Sequence, residues 1–257
     1  MKEVFMITRM AIQFFTVLPV AKTIEWTERR TAKTIFYLPL LGIVIACMFF
    51  YTMNVFANLQ MSTSVVSLLL ILVPIVFTGG LHVDGYMDVS DAYFSRQSKE
   101  AKLHILSDPH VGSFAILSLL FLLGLRWMSI HELLTYSEIT MWNVILIFSL
   151  PRLVGGWLLI IEKPAKETGL AAYFQRGVTK HIIRLYVCMS ILLLAALFFM
   201  IDNKLVFLAY GLFTVGFIRF IRVNFGGITG DVIGTSIEGG ETFLWITLWL
   251  LHVFVMG

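Results

Sequence analysis

Between Gly79 and Asp91 the chain reads Gly79-Gly80-Leu81-His82-Val83-Asp84-Gly85-Tyr86-Met87-Asp88-Val89-Ser90-Asp91. Asp84, Asp88 and Asp91 stand at i, i+4 and i+7. On a helix this spacing puts three carboxylates on one face, with neighbouring Cβ atoms roughly 5–6 Å apart. Like charges so placed repel one another, and a cation that gathers them reverses the sign of that energy. Oxygen-only ligands suit a hard ion such as Mg²⁺ or Mn²⁺. A bare acidic helix end facing water would give the same spacing. Here apolar and aromatic residues stand between the acids, so the charges lie near low-dielectric surroundings, where they are costly unless paired or metal-bound. His82 is a candidate metal ligand or general base, with a hydrogen-bonded structural role as the alternative. Catalytic roles are therefore expected at Asp84, Asp88 and His82, and metal ligation at Asp84, Asp88 and Asp91.

Further segments carry groups suited to phosphate. Gly226-Gly227-Ile228-Thr229-Gly230-Asp231-Val232-Ile233-Gly234 is dense in glycine and is followed by Glu238 and Glu241. Glycines let backbone N–H groups approach an anion closely, although an ordinary turn between spans would also be glycine-rich. No Gly-Lys-Ser/Thr follows, so this is not a Walker loop. Arg152 follows Pro151 inside an apolar run, where a charge needs a polar cavity or a partner. A phosphate contact is the preferred reading and a structural ion pair the alternative. Arg126, near a span end, reads as snorkelling. Asp108 is expected either to cap the helix that follows it or to bind metal or substrate. Arg96 and Lys102, downstream of the aspartates, either bind phosphate or fix orientation.

The elements that must position these groups lie in a membrane. The 257 residues are 58% hydrophobic and 14% charged, with a mean hydropathy of +0.87, too apolar for a water-soluble domain of this length. The expected fold is all-α: a polytopic helix bundle with about seven transmembrane helices, at 34–56, 63–80, 112–130, 140–161, 185–201, 204–221 and 243–256. An interfacial helix is expected over 1–20. Arg9 and Gln13 interrupt that first stretch, so no cleavable signal is expected. With this span count, sixteen of the 19 basic residues fall on one side, which predicts a cytoplasmic amino terminus in a bacterial inner membrane. The polar connections 81–111, 162–184 and 222–242 then all face the cytoplasm. The net charge of +3 is spread over short connections rather than one stripe, which excludes nucleic acid as a partner. Cys47 and Cys188 lie in apolar runs and read as small buried hydrophobes. Residues 1–257 form one domain, without internal repeats.

These residues together resemble the cobalamin synthase family, the adenosylcobinamide-GDP ribazoletransferases. The likeness rests on Phe15-Thr16-Val17-Leu18-Pro19-Val20, Pro39-Leu40-Leu41-Gly42, the run from Gly79 to Asp91, Ser107-Asp108 with Gly112, Pro151-Arg152, and Gly227 to Gly234 with Glu238 and Glu241. Ala92 and Pro109-His110 depart from the family pattern. The resemblance implies a membrane enzyme that joins adenosylcobinamide-GDP to α-ribazole or its 5′-phosphate, releases GMP and uses Mg²⁺. Its partners would be these substrates and membrane lipid, with further copies or other late corrinoid enzymes as candidate neighbours. Two other readings compete. A CDP-alcohol phosphotransferase would begin Asp-Gly-x-x-Ala-Arg, whereas Asp84-Gly85 is followed by Tyr86-Met87-Asp88-Val89. A transporter would carry ionisable groups near the midplane, and of these only Arg152 qualifies.

Overall fold

The computed structural model describes residues 2–20 and 24–256, and within them the chain is all helix and connection. The helices are α1 (Lys2–Phe15), α2 (Glu28–Thr34), α3 (Tyr37–Asn58), α4 (Thr63–Thr78), α5 (Leu81–Phe94) and α6 (Lys99–Ile105). They continue as α7 (Ser113–Thr135), α8 (Met141–Ile161), α9 (Leu170–Arg176), α10 (Lys180–Met200), α11 (Leu205–Asn224) and α12 (Gly230–Leu251), which ends in a π-helical turn at His252–Met256. Hydroxyl caps start several of them. Thr27, Ser98, Thr140, Thr179 and Thr229 each accept a hydrogen bond from the backbone N–H three residues on, satisfying a donor that the first turn leaves unpaired.

Among the described residues, five helical stretches are long and apolar enough to cross a membrane: Glu28–Asn58, α7, α8, α10 and α11. The chain is thus a multi-pass membrane protein; on length and apolarity alone the count reaches five, or six if α4 and α5 count together, short of the expected seven. Two segments make the difference. The run 63–80 ends at Gly79 and Gly80, both left-handed with φ of 65° and 76°, a conformation that glycine adopts at little cost. There the chain turns by 97°, so α5 runs across one end of the bundle instead of through it. The run 243–256 does not stand alone either. It continues α12, whose first half, rich in Gly, Thr, Ser and Glu, lies within the expected connection 222–242. That polar half is almost wholly buried.

The core follows from these placements. Among the long helices α8 and α12 are buried along much of their length, whereas α10 and α11 present Leu192, Phe199, Leu208, Leu212 and Val215 outward as a lipid-facing surface. Cys47 and Cys188 are also exposed on outward faces, which corrects the reading of them as buried. The amino-terminal helix α1 is amphipathic, packing Ile7, Met10, Ala11 and Phe15 inward. Lys22, one of the basic residues used in the topology argument, lies outside the described residues. The connections after α5, α8 and α11 gather at one end. There Glu162 accepts two hydrogen bonds from Arg222, at 2.7 and 3.0 Å, and Lys102 donates to Asn224 at 2.9 Å.

Candidate active site

The site is built where α5 crosses the start of α12. The crossing is close because it is lined by glycine: a Cβ on Gly85 would come within 2.7 Å of the Asp231 Cα, and one on Gly234 within 2.8 Å of the His82 carbonyl oxygen. Thr235 Oγ1 donates to the Gly85 carbonyl at 3.1 Å, locking the register. Small residues at such a crossing let two backbones approach closely enough for side chains from both helices to share one space.

Four carboxylates result, three from α5 and Asp231 from α12. Asp84 is exposed, while Asp88, Asp91 and Asp231 are half-buried. Asp91 lies against Gly112 at the start of α7. Thr229 Oγ1 donates to Asp231 Oδ2 at 3.2 Å. Among the described residues no Lys, Arg or His forms an ion pair with any of the four. Burial, then the negative charges of Asp84, Asp231 and Asp91, pushes the Asp88 pKa up to about 6. The expected convergence of the α5 acids is only partial: among the described residues no three such side chains stand close enough together to form a ready-made metal cage. Mutual repulsion accounts for the separation of like charges on one face. The donor set remains hard oxygen with uncompensated negative charge, which fits a divalent cation such as Mg²⁺.

Two cavities flank the first turn of α12 and meet at Gly230 and Asp231. One, of about 240 Å³, is polar and includes Ser107, Lys166, Thr229, Gly230 and Asp231. Lys166 Nζ donates to Ser107 Oγ at 2.7 Å. Lys166 was not anticipated as a site residue. It is held there by a short bridge between Pro164 and Ile228, with Ala165 N donating to Ile228 O at 2.9 Å and Ile228 N to Lys163 O at 2.8 Å. Gly227 makes this possible, because a Cβ there would collide with the Lys163 carbonyl. The signal available in the sequence was only that 162–184 shares a face with the glycine-rich turn. The other cavity, of about 130 Å³, is mostly apolar and contains His82, Asp84 and Asp231 in its wall. His82 is 5% exposed. Burial, with the Arg152 charge as a lesser cause, pushes its pKa down to about 3.

The structure thus brings together His82, Asp84, Asp88, Asp91, Thr229, Gly230 and Asp231, with Gly227 behind them. Other expected members are elsewhere. Arg152 is fully buried, donating to Glu241 Oε1 at 2.5 Å and to the Phe148 carbonyl at 2.7 Å, so its geometry is that of the structural ion pair and not of a phosphate contact. Glu238 and Glu241 lie two to three turns below Asp231 and belong to the same buried network. Arg126 does not snorkel: it is 2% exposed, donates to Thr242 Oγ1 and the Glu238 carbonyl at 2.7 Å each, and pairs with Glu238 Oε2 at 2.7 Å. Asp108 caps no helix, since Gly112 occupies that position. It lies on an exposed loop and accepts from His110 N and Nδ1 at 3.0 and 2.6 Å, which hold its carboxyl below the usual range. Arg96 is exposed, takes a positive φ of 57° after α5 and makes no polar contact with the acids.

Comparison with known proteins places this geometry in a family. A family model described as cobalamin-5-phosphate synthase matches residues 7–249. The adenosylcobinamide-GDP ribazoletransferase of Geobacillus sp. (strain WCH70) is 37% identical over 253 residues, covering 96% of each chain. The protein of the same description from Halalkalibacterium halodurans is 34% identical over 256 residues, again 96% of each. That of Clostridium perfringens (strain ATCC 13124) is 31% identical over 236 residues, covering 91% of this chain and 93% of its own. No solved structure matches. With so nearly complete a match in length and family model, this chain belongs to the cobalamin-5-phosphate synthase family.

Proposed function

We propose that the protein is an adenosylcobinamide-GDP ribazoletransferase, joining adenosylcobinamide-GDP to α-ribazole or its 5′-phosphate and releasing GMP in the last steps of cobalamin assembly. The observation that carries this reading is the set of unpaired carboxylates from α5 and α12 beside a lysine and a helix start, at one end of a membrane bundle. The names of the relatives support it. The chemistry is a phosphoryl transfer: a hydroxyl of the ribazole partner attacks the phosphorus attached to the corrinoid's aminopropanol oxygen, and the bond to GMP breaks.

The chain's own groups divide that work. The Gly230 N–H at the start of α12, which the Thr229 cap leaves free, and the Lys166 ammonium bind the diphosphate oxygens, the former through the partial positive charge at a helix start. The Gly85 and Gly234 crossing fixes Asp231 against α5, so that the acids and the phosphate-binding groups share one rigid frame. The proton of the attacking hydroxyl passes to a carboxylate of the cluster and not to His82, because an imidazole with a pKa near 3 holds a proton poorly. Asp84, Asp88, Asp91 and Asp231 would hold Mg²⁺, which when bound neutralises diphosphate charge and supports the departure of GMP. The basic connections gathered at this end favour its facing the cytoplasm in an inner membrane, with the amino terminus on the same side.

Turnover of adenosylcobinamide-GDP and α-ribazole by the purified protein in lipid, with and without Mg²⁺, tests this reading. GMP and the corrinoid product are expected in equal amounts and only with the metal. Absence of both products from folded protein would overturn it. Running α-ribazole against its 5′-phosphate settles the acceptor, and proteoliposomes of either orientation settle the face.

A further inference from the structure

The apolar cavity beside the acids has a composition that diphosphate chemistry does not require. Its walls are Phe14 and Phe15 of α1, Leu38 of α3, Leu159 of α8, Phe174 of α9 and Ile233 of α12, so five helices converge on it. At about 130 Å³ it is far larger than the roughly 10–15 Å³ that one water needs. Cavities lined by Leu, Ile and Phe stay dry and accept aromatic rings. Phe14 and Phe174 stand 6.0 Å apart, ring to ring, with Trp26 against Phe14 at 5.4 Å, which makes that wall aromatic.

One polar group breaks the apolar lining away from the acids. His82 lies in the wall, is 5% exposed, and its side chain makes no hydrogen bond among the described residues. A polar ring left without a partner in apolar surroundings is costly, and a ligand that supplies one removes that cost.

We propose that this cavity holds the bicyclic aromatic base of the ribazole acceptor, with His82 donating one hydrogen bond to its free ring nitrogen. The proposal rests on the transferase reading and names the place of one substrate within it. An alkylated benzimidazole on ribose is apolar over nearly all its surface and keeps a single ring nitrogen with an available lone pair. One unpartnered imidazole in an apolar box matches that pattern. Guanine, the other base in the reaction, presents O6, N7 and the N2 amino group, and burying these among phenylalanines and leucines would leave most of them unsatisfied. Position agrees as well. The cavity opens onto Asp84 and Asp231 and shares Gly230 with the polar cavity, so a base seated here directs its ribose toward the carboxylates and the phosphate side.

The test is equilibrium binding of α-ribazole to the full-length protein in lipid nanodiscs, by calorimetry and without any corrinoid. Wild type is expected to bind. His82→Phe, which keeps the ring volume but loses the hydrogen bond, should weaken binding about five- to tenfold. Leu159→Phe, which narrows this cavity from α8 and does not line the polar one, should weaken it further while leaving the KM for adenosylcobinamide-GDP within twofold. In wild type, an α-riboside of a polar purine should bind at least tenfold more weakly than α-ribazole. The proposal is overturned if Leu159→Phe raises the KM for adenosylcobinamide-GDP and spares α-ribazole, because the cavity then holds guanine. Equal binding of the purine riboside overturns it without any variant. Absence of turnover in protein that binds α-ribazole would sink the transferase reading and leave the cavity assignment standing, so the two failures are distinguishable.

Discussion

Two groups of acids occupy the same helix neighbourhood and live in opposite circumstances. Glu238 and Glu241, in the middle of α12, are buried with Arg126 and Arg152, at 2.7 Å for Arg126–Glu238 and 2.5 Å for Arg152–Glu241. Two anions face two cations, and the set is neutral. Asp84, Asp88 and Asp91 of α5 and Asp231 at the start of α12 lie at one end of the bundle with no ion-pairing partner among the described residues. The difference teaches how to sort acids in a membrane protein. Charge that serves the fold is compensated by the chain itself, because an uncompensated buried charge is strongly destabilising. Charge that serves a ligand is left for the ligand to compensate.

The contrast can be broken most sharply at Glu241. Glu241→Gln strands Arg152 in the core and should cost about 3–5 kcal/mol of stability, read as a large fall in the unfolding midpoint in detergent. Replacing both members with Arg152→Met and Glu241→Leu should cost much less, since a well-packed apolar pair often substitutes for a buried ion pair. At the other cluster the expectation is inverted. Asp84→Asn should lower turnover about 10²- to 10³-fold, the range for removing one electrostatic group from a phosphoryl or acyl-transfer site, while the unfolding midpoint stays the same or rises as repulsion is relieved. A midpoint that dropped as far as for Glu241→Gln would erase the distinction between the clusters.

Lys166→Met comes next. Loss of one charge-assisted contact to the diphosphate should raise the KM for adenosylcobinamide-GDP roughly tenfold or somewhat more, with binding of α-ribazole unchanged. The smallest effect is in pH. The folded-state pKa of Asp88, about 6, lies above its ordinary value of 3.8, so the folded protein binds this proton more tightly than the unfolded chain. Metal-free protein should therefore lose stability as pH rises from about 4 through 6. Asp88→Asn should flatten that slope in a melt series, and a slope of the opposite sign would show that the cluster is already compensated.

How much of this was legible in the sequence varies with the range of the interaction. The acid face of α5 follows from i, i+4, i+7 spacing, and the glycine-rich turn beside it from composition. Both are local. The 97° break was not read, although Gly79-Gly80 marked it, because a hydropathy window averages across a turn. The first half of α12 was read as connection for the same reason: a window counts Glu238 and Glu241 as charges and cannot see the arginines that cancel them. Arg152 and Arg126 were misassigned because their partners lie 89 and 112 residues away. Lys166 escaped notice since its place depends on the bridge from Pro164 to Ile228, which no local pattern announces.

The buried Arg–Glu network also bears on how the chain enters the bilayer. A single charged residue at the centre of a helix raises the cost of insertion by about 2.5–3.5 kcal/mol, and α12 carries two acids in that region. Its apolar second half offsets part of this, yet α12 is not among the helices that qualify as spans on their own. Its counter-charges are supplied by α7 and α8, which precede it in the chain. In chain order both arginines therefore come before the acids they neutralise. Within the bundle α12 is thus the dependent helix: the charges that make it costly in lipid are met only by side chains that earlier helices hold in place.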